Sequence, residues 1–267
     1  MAIAEFSQLS HTSQALLATL FTWGVTAVGA AAVLVFKQIN QDVMDAMLGF
    51  SGGVMLAASY FSLLAPSIEM SEALGLRPWL TVCTGLGAGG LLLYAQEKLM
   101  DRLEKQGKMS PSAGKKRCIT LVLSITLHNI PEGLAVGVAF GSLYYGIDGA
   151  TLTTACMLAL GIGLQNFPEG TAVSVPLRRE GMSRGKAFFF GQLSAVVEPI
   201  AGVLGALLVM RARAMLPYML SFAAGAMLYA VVGELIPESQ KNRNKSRVKA
   251  VTLGGFLIMT VLDLALG

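Results

Sequence analysis

An all-α membrane protein of eight transmembrane helices is the fold class this sequence predicts, and three observations lead there. Of 267 residues, 54% are hydrophobic and only 13% charged, with a mean hydropathy of +0.62, a balance too apolar for an ordinary soluble domain. The apolar residues gather in runs close to the roughly 20 residues that cross a hydrocarbon core. The Lys and Arg residues then fall on alternate sides of those runs, as the positive-inside rule requires.

The runs place spans at about 14–36, 43–65, 78–96, 118–140, 151–177, 185–209, 215–236 and 247–266. The first should remain in the protein, because residues 1–13 carry no Lys or Arg and the run is too long for the apolar core of a signal peptide. His11 before it reads as surface, and Trp23 and Trp79 as lipid-facing or interfacial aromatics. The second span contains Met55 in Gly52-Gly53-Val54-Met55-Leu56-Ala57-Ala58-Ser59. From the residues alone this Met reads as filler, with a soft thioether ligand as the alternative. Gly85, Gly87, Gly89 and Gly90 sit in the third span, where small residues let helices approach, and do not form a nucleotide loop.

Between spans three and four lies the one sizeable polar linker, about 98–117, read as a flexible cytoplasmic tether within a single transmembrane domain, 1–267. It supplies seven of the basic residues, with Lys37, four at 178–186 and five at 241–249 on the same side. Only Arg77, Arg211 and Arg213 of the 20 fall on the other. Both termini are therefore expected outside a cell membrane, the inner membrane in a bacterium. The net charge of +4 reflects loop orientation, and no nucleic-acid partner is expected. Cys83, Cys118 and Cys156 have no paired spacing and read as small buried fillers.

Spans four and five carry the chemistry. Leu127-His128-Asn129-Ile130-Pro131-Glu132-Gly133 is echoed by Leu164-Gln165-Asn166-Phe167-Pro168-Glu169-Gly170, and eight of the twelve residues at 127–138 match those at 164–175. A carboxylate at the centre of a spanning helix costs roughly 2.5–3.5 kcal/mol on insertion scales, so a repeated one calls for a partner, and a metal cation is the natural choice. At about 100° per residue, Glu132 lies angularly between His128 and Asn129, and Glu169 between Gln165 and Asn166. Each carboxylate can then serve two neighbouring ions, as in other helix-bundle metal sites.

Pro131 and Pro168 lack an amide N–H, so the carbonyls of Leu127 and Leu164 should lose their helical partners. In span six, Glu198-Pro199 repeats the association and should free the carbonyl of Ala195. Glu234, near the end of span seven, reads either as part of an exit route or as a solvated terminal carboxylate.

The two Pro-Glu-Gly motifs, Glu198-Pro199 and the Met-Leu-Ala-Ala-Ser at 55–59 together resemble the ZIP (Zrt/Irt-like) family of divalent metal transporters, in its bacterial-type branch. The resemblance extends over all eight spans. It implies a 3+2+3 arrangement with inverted repeats, alternating access, and a binuclear site bridged by Glu132 and Glu169. His128, Gln165 and Met55 would complete the transport position, and Asn129, Asn166 and Glu198 the second one. Two features depart from the pattern: the 98–117 linker contains no His, and Asn166 stands where some relatives carry Asp.

The donor set is rich in oxygen with one imidazole, which suits Zn²⁺ and also Fe²⁺, Mn²⁺, Co²⁺ or Cd²⁺. The expected partners are divalent metal ions and the lipid bilayer. A homodimer is compatible with the sequence, and no cofactor is expected beyond the metal as transported substrate. An intramembrane metalloenzyme is disfavoured by the lack of His-Glu-x-x-His, and a metal-selective channel would be separated from a carrier by its single-channel currents.

Overall fold

A computed structural model describes residues 2–36, 40–105, 113–146, 150–240 and 245–266, and among them every regular element is a helix. A short α1 (Ala2–Ser7) precedes α2 (His11–Ala30), which continues after Ala31 as α3 (Ala32–Val35). The second long stretch joins α4 (Gln41–Ala58), a π-helical segment over Ser59–Leu64 and α5 (Ala65–Ala73). Next come α6 (Pro78–Lys105), α7 (Ala113–Ser142), α8 (Leu152–Arg179) and the broken pair α9 (Arg184–Leu193) and α10 (Val197–Arg211). A seventh stretch contains α11 (Leu216–Ala230), a π segment over Val231–Leu235 and α12 (Ile236–Ser239), and α13 (Lys245–Val261) follows, ending in a π segment over Leu262–Leu266.

Polar residues at the helix starts supply the caps. The Ser10 side chain accepts from the Ser13 amide, Asn40 from Asp42 and Ser183 from Lys186, while Thr151 and Thr154 form a reciprocal capping box. Each satisfies an amide that the first helical turn leaves without a partner.

Among the described residues, six stretches are long and apolar enough to cross a membrane: His11–Val35, Gln41–Ala73, Pro78–Leu99, Arg184–Arg211, Arg213–Ser239 and Lys245–Ala265. The helices α7 and α8, of 30 and 28 residues, are long enough but carry the two polar Pro-Glu-Gly repeats in place of continuous apolar sequence.

The structure corrects several sequence expectations. The second stretch does not stop near 65 but runs to Ala73 through Pro66, which enters at the start of α5 just after the π segment. Pro237 stands likewise after the π segment of the seventh stretch. A widened turn gives room to a proline ring that would otherwise meet the carbonyl one turn back. The expected tether at 98–117 is helical up to Lys105 and again from Ala113, with 106–112 outside the described residues.

The carbonyl of Ala195 is not freed, because it accepts from the Glu198 amide at 3.0 Å. The chain breaks between α9 and α10, which puts Pro199 in a first turn, where a missing N–H costs nothing. Cys83 is exposed, not a buried filler, and Cys156 is half-buried; the side chain of Cys118 lies outside the described residues. Trp23 is half-buried and donates its indole N–H to the Gln192 carbonyl at 3.0 Å, tying α2 to α9 instead of only facing lipid.

The principal helix pairs are α11 with α6, α10 with α7, α13 with α4, and α2 with α8, followed by α4 with α8, α10 with α2, α11 with α7, α2 with α7, and both α7 and α9 with α8. Exchanging the first three long stretches for the last three in order, and α7 for α8, maps this set onto itself. Glycine makes the closest pairs. A Cβ added at Gly137 would strike the carbonyl of Gly202, at Gly170 that of Thr26, at Gly53 that of Thr252, and at Gly89 that of Phe222. Close packing was expected for the glycines of span three, and Gly85 and Gly89 fulfil it while Gly87 faces open space.

Candidate metal centre

The core of the bundle is polar where α7, α8, α2 and α10 meet. His128, Asn129 and Glu132 on α7, Gln165, Asn166 and Glu169 on α8, and Glu198 on α10 are all buried, none more than 6% exposed. Glycine packing brings the helix axes close enough for short side chains to meet: Gly133 lies against the backbone of Glu198, and Gly29 against that of Phe167.

One atom each of His128, Glu132 and Glu169 lies within 4.8 Å of the others. An imidazole nitrogen and two carboxylates at that separation match the reach of a single divalent ion. The Gln165 amide Nε2 donates to Glu132 Oε1 across the two helices, which leaves Gln165 Oε1 and Glu132 Oε2 without hydrogen-bond partners. The amide orientation is chemically required, since its oxygen turned to the carboxylate would meet a second acceptor.

Eight buried side-chain polar atoms lack a hydrogen-bond partner among the described residues. Six of them are oxygens of five ligand candidates: Asn129 Oδ1, Glu132 Oε2, Gln165 Oε1, Asn166 Oδ1 and both carboxylate oxygens of Glu169. An unsatisfied buried acceptor costs about 1–3 kcal/mol, so six on neighbouring turns of α7 and α8 are a large structural cost unless a cation is their partner.

A second corner is arranged differently. Asn166 Nδ2 donates to both oxygens of Glu198, at 2.9 and 3.1 Å, and to the Thr22 carbonyl at 3.2 Å. The Thr22 hydroxyl donates to Glu198 Oε2. Asn129 Nδ2 donates to the Ser194 carbonyl at 3.0 Å, at the α9–α10 break. Glu198 thus stands outside the close set of His128, Glu132 and Glu169, and is held by donors on two other helices.

Met55 is fully buried on α4, one turn beyond Ser51, whose hydroxyl lies 3.4 Å from the Gln165 carbonyl. It packs in the apolar core, on a helix that lies against α8. Residues missed in the sequence are Thr22, Ser51 and Ser194. For Thr22 a signal existed: Thr19, Thr22 and Thr26 recur at helical spacing inside an otherwise apolar span, and all three are buried.

Two cavities flank the centre along α8. One, of about 280 Å³, is lined by Ser62, Glu69, Ser142, Thr154 and Asp263. The other, of about 620 Å³, is lined by Ala172, Pro176, Glu180, Glu234 and Glu238 among others. Glu234 therefore borders a chamber that begins one turn beyond Glu169.

Comparison with known proteins follows the same lines. The family model described as "ZIP Zinc transporter" matches residues 95–263. Zinc transporter ZIP11 of Homo sapiens is 40% identical over an alignment covering 97% of this chain and 98% of that protein. Zinc transporter GufA of Myxococcus xanthus is 35% identical, covering 94% and 98%, and zinc transporter ZupT of Streptococcus mutans 31%, covering 94% and 97%. With its paired Pro-Glu-Gly helices and buried imidazole–carboxylate cluster, the chain belongs to the ZIP zinc transporter family, a family of membrane transporters and not of enzymes.

Proposed function

We propose that the protein is a multi-pass carrier that moves divalent metal cations into the cytoplasm, Zn²⁺ first, with Fe²⁺, Mn²⁺, Co²⁺ and Cd²⁺ accepted by the same donors. The observation that carries this reading is the grouping of His128, Glu132 and Glu169 within 4.8 Å, together with the unsatisfied carboxylate and amide oxygens on the same two helices. The names of the relatives, all zinc transporters, support the choice of metal.

In this reading α7 and α8 also cross the membrane, giving eight spans with both termini outside. The self-mapping set of helix pairs supports a 3+2+3 arrangement with inverted repeats. The site is binuclear. Glu132 and Glu169 bridge, His128, Gln165 and Met55 complete the transport position, and Asn129, Asn166 and Glu198 the second. The ion reaches it from the smaller cavity and leaves through the larger, acid-lined chamber on the side rich in Lys and Arg. Bound ions offset the repulsion and burial of the carboxylates, and a set of mostly neutral amides beside them keeps affinity low enough for release.

Alternating access follows from movement of α2, α7, α8 and α10 against the other helices. Uptake of a panel of divalent metals into proteoliposomes, with and without a pH gradient or voltage, tests the proposal. Saturable Zn²⁺ uptake that is lost with Glu132→Ala is the expected result. Absence of any divalent flux overturns the function, and single-channel currents would replace the carrier with a pore.

A further inference from the structure

Thr22 behaves unlike Thr19 and Thr26, its neighbours on the same face of α2. The hydroxyls of Thr19 and Thr26 bond back to carbonyls of α2 itself, Thr19 to Ala15 at 2.7 Å and Thr26 to Thr22 at 3.3 Å, the usual habit of Thr in an apolar helix. Thr22 Oγ1, 3.0 Å from the Thr19 carbonyl, also reaches across to Glu198 Oε2 on α10. Its main-chain carbonyl accepts from Asn166 Nδ2 on α8. One fully buried residue therefore contacts two of the three side chains assigned to the second ion position.

We infer that Thr22 is a positioning residue of that position: its hydroxyl orients the Glu198 carboxylate and its carbonyl orients the Asn166 amide. The inference rests on the binuclear reading above. With Asn166 Nδ2 committed to the Thr22 carbonyl and to Glu198, Asn166 Oδ1 is the atom left over, and it has no hydrogen-bond partner among the described residues. The amide is thus turned so that its acceptor is available to a cation.

The register is set by packing. A Cβ at Gly202 would meet the side chain of Thr19, and Thr22 lies about one turn further along α2 as Glu198 lies one turn back along α10. Asn in place of Asp at 166 makes the arrangement possible, because a carboxylate there would repel Glu198 and accept nothing from it. Partners that orient a metal ligand from behind are typically worth about 10–100-fold in metal affinity.

The test is metal stoichiometry and affinity on the purified full chain, with Zn²⁺ and Cd²⁺ as probes, for the wild type, Thr22→Val and Thr22→Ser. Valine keeps the β-branched shape and removes the hydroxyl; serine keeps the hydroxyl. The expected result is two ions in the wild type, and in Thr22→Val an unchanged first ion with the second weakened by about 10–100-fold. Thr22→Ser should restore it, a rescue that loss of packing would not produce.

A second ion bound equally well by Thr22→Val overturns the inference. One ion in the wild type also overturns it, making Thr22, Asn166 and Glu198 a purely hydrogen-bonded joint while leaving the His128–Glu132–Glu169 centre standing. No ion at all removes that centre too. Should Thr22→Val not fold, Thr22→Ala is measured in its place, and failure of both to fold assigns Thr22 to structure alone.

Discussion

The two ends of the buried polar cluster are built from similar residues and solve the burial of charge in opposite ways. At the His128–Glu132–Glu169 end, carboxylate and amide oxygens converge with few donors. At the Glu198 end, Asn166 and Thr22 donate to both carboxylate oxygens. A carboxylate without donors depends on a cation, whereas one with donors holds its shape in the absence of an ion. In the proposed binuclear reading, the first end would depend on its ion and the second would tune it.

The largest effects are expected at Glu132 and Glu169, the proposed bridging carboxylates. Glu132→Ala or Glu169→Ala should remove ligands from both ions and lower uptake by at least about 100-fold, beyond what outer partners of a ligand are worth. Metal occupancy of each purified variant, measured beside uptake, decides it; Glu132→Ala retaining both ions would end the bridging geometry. Next in size is His128→Ala, which should abolish the transport ion while sparing much of the second. Because imidazole and carboxylate ligands bind metal deprotonated, wild-type affinity should fall as pH is lowered, and less steeply once Glu132 or His128 is replaced by Ala. An equal pH dependence in the wild type, Glu132→Ala and His128→Ala would count against both groups as ligands.

At the donor-rich end the effects should be smaller. Glu198→Ala and Asn129→Ala are expected to keep the transport ion, to weaken or lose the second, and to lower uptake less than His128→Ala or alter selectivity. If Glu198→Ala stops uptake as completely as His128→Ala, the two ends are not functionally distinct. Ion binding should also stabilise the folded wild type, by about 2.7 kcal/mol at 100 times the dissociation constant. Thermal melts with and without Zn²⁺ measure it, and Glu132→Ala should lose most of the shift.

Much of this was legible in the residue order. The long apolar runs located the helices because spanning length and hydropathy are local properties, and the repeated Pro-Glu-Gly phrase located the helices whose polar side chains are buried together because i, i+3 and i+4 spacing fixes a shared face. Errors came at breaks and ends. Span two was expected to end near 65, but a π turn carries the helix on to Ala73, and Pro199 was expected to free a carbonyl within span six before the break at 194–196 put it in a first turn. Trp23 looked lipid-facing until Gln192 on a distant helix took its N–H.

By itself the sequence determined that this is a helical membrane protein whose costly polar residues sit in two matching helices, since the free energies involved belong to single segments. The partition of those residues into an acceptor-rich cluster and a donor-held corner was decided only by tertiary structure. Thr22 reaches Glu198 where Gly202 on α10 admits the side chain of Thr19 on α2, and contacts between residues 176 positions apart leave no trace in local spacing.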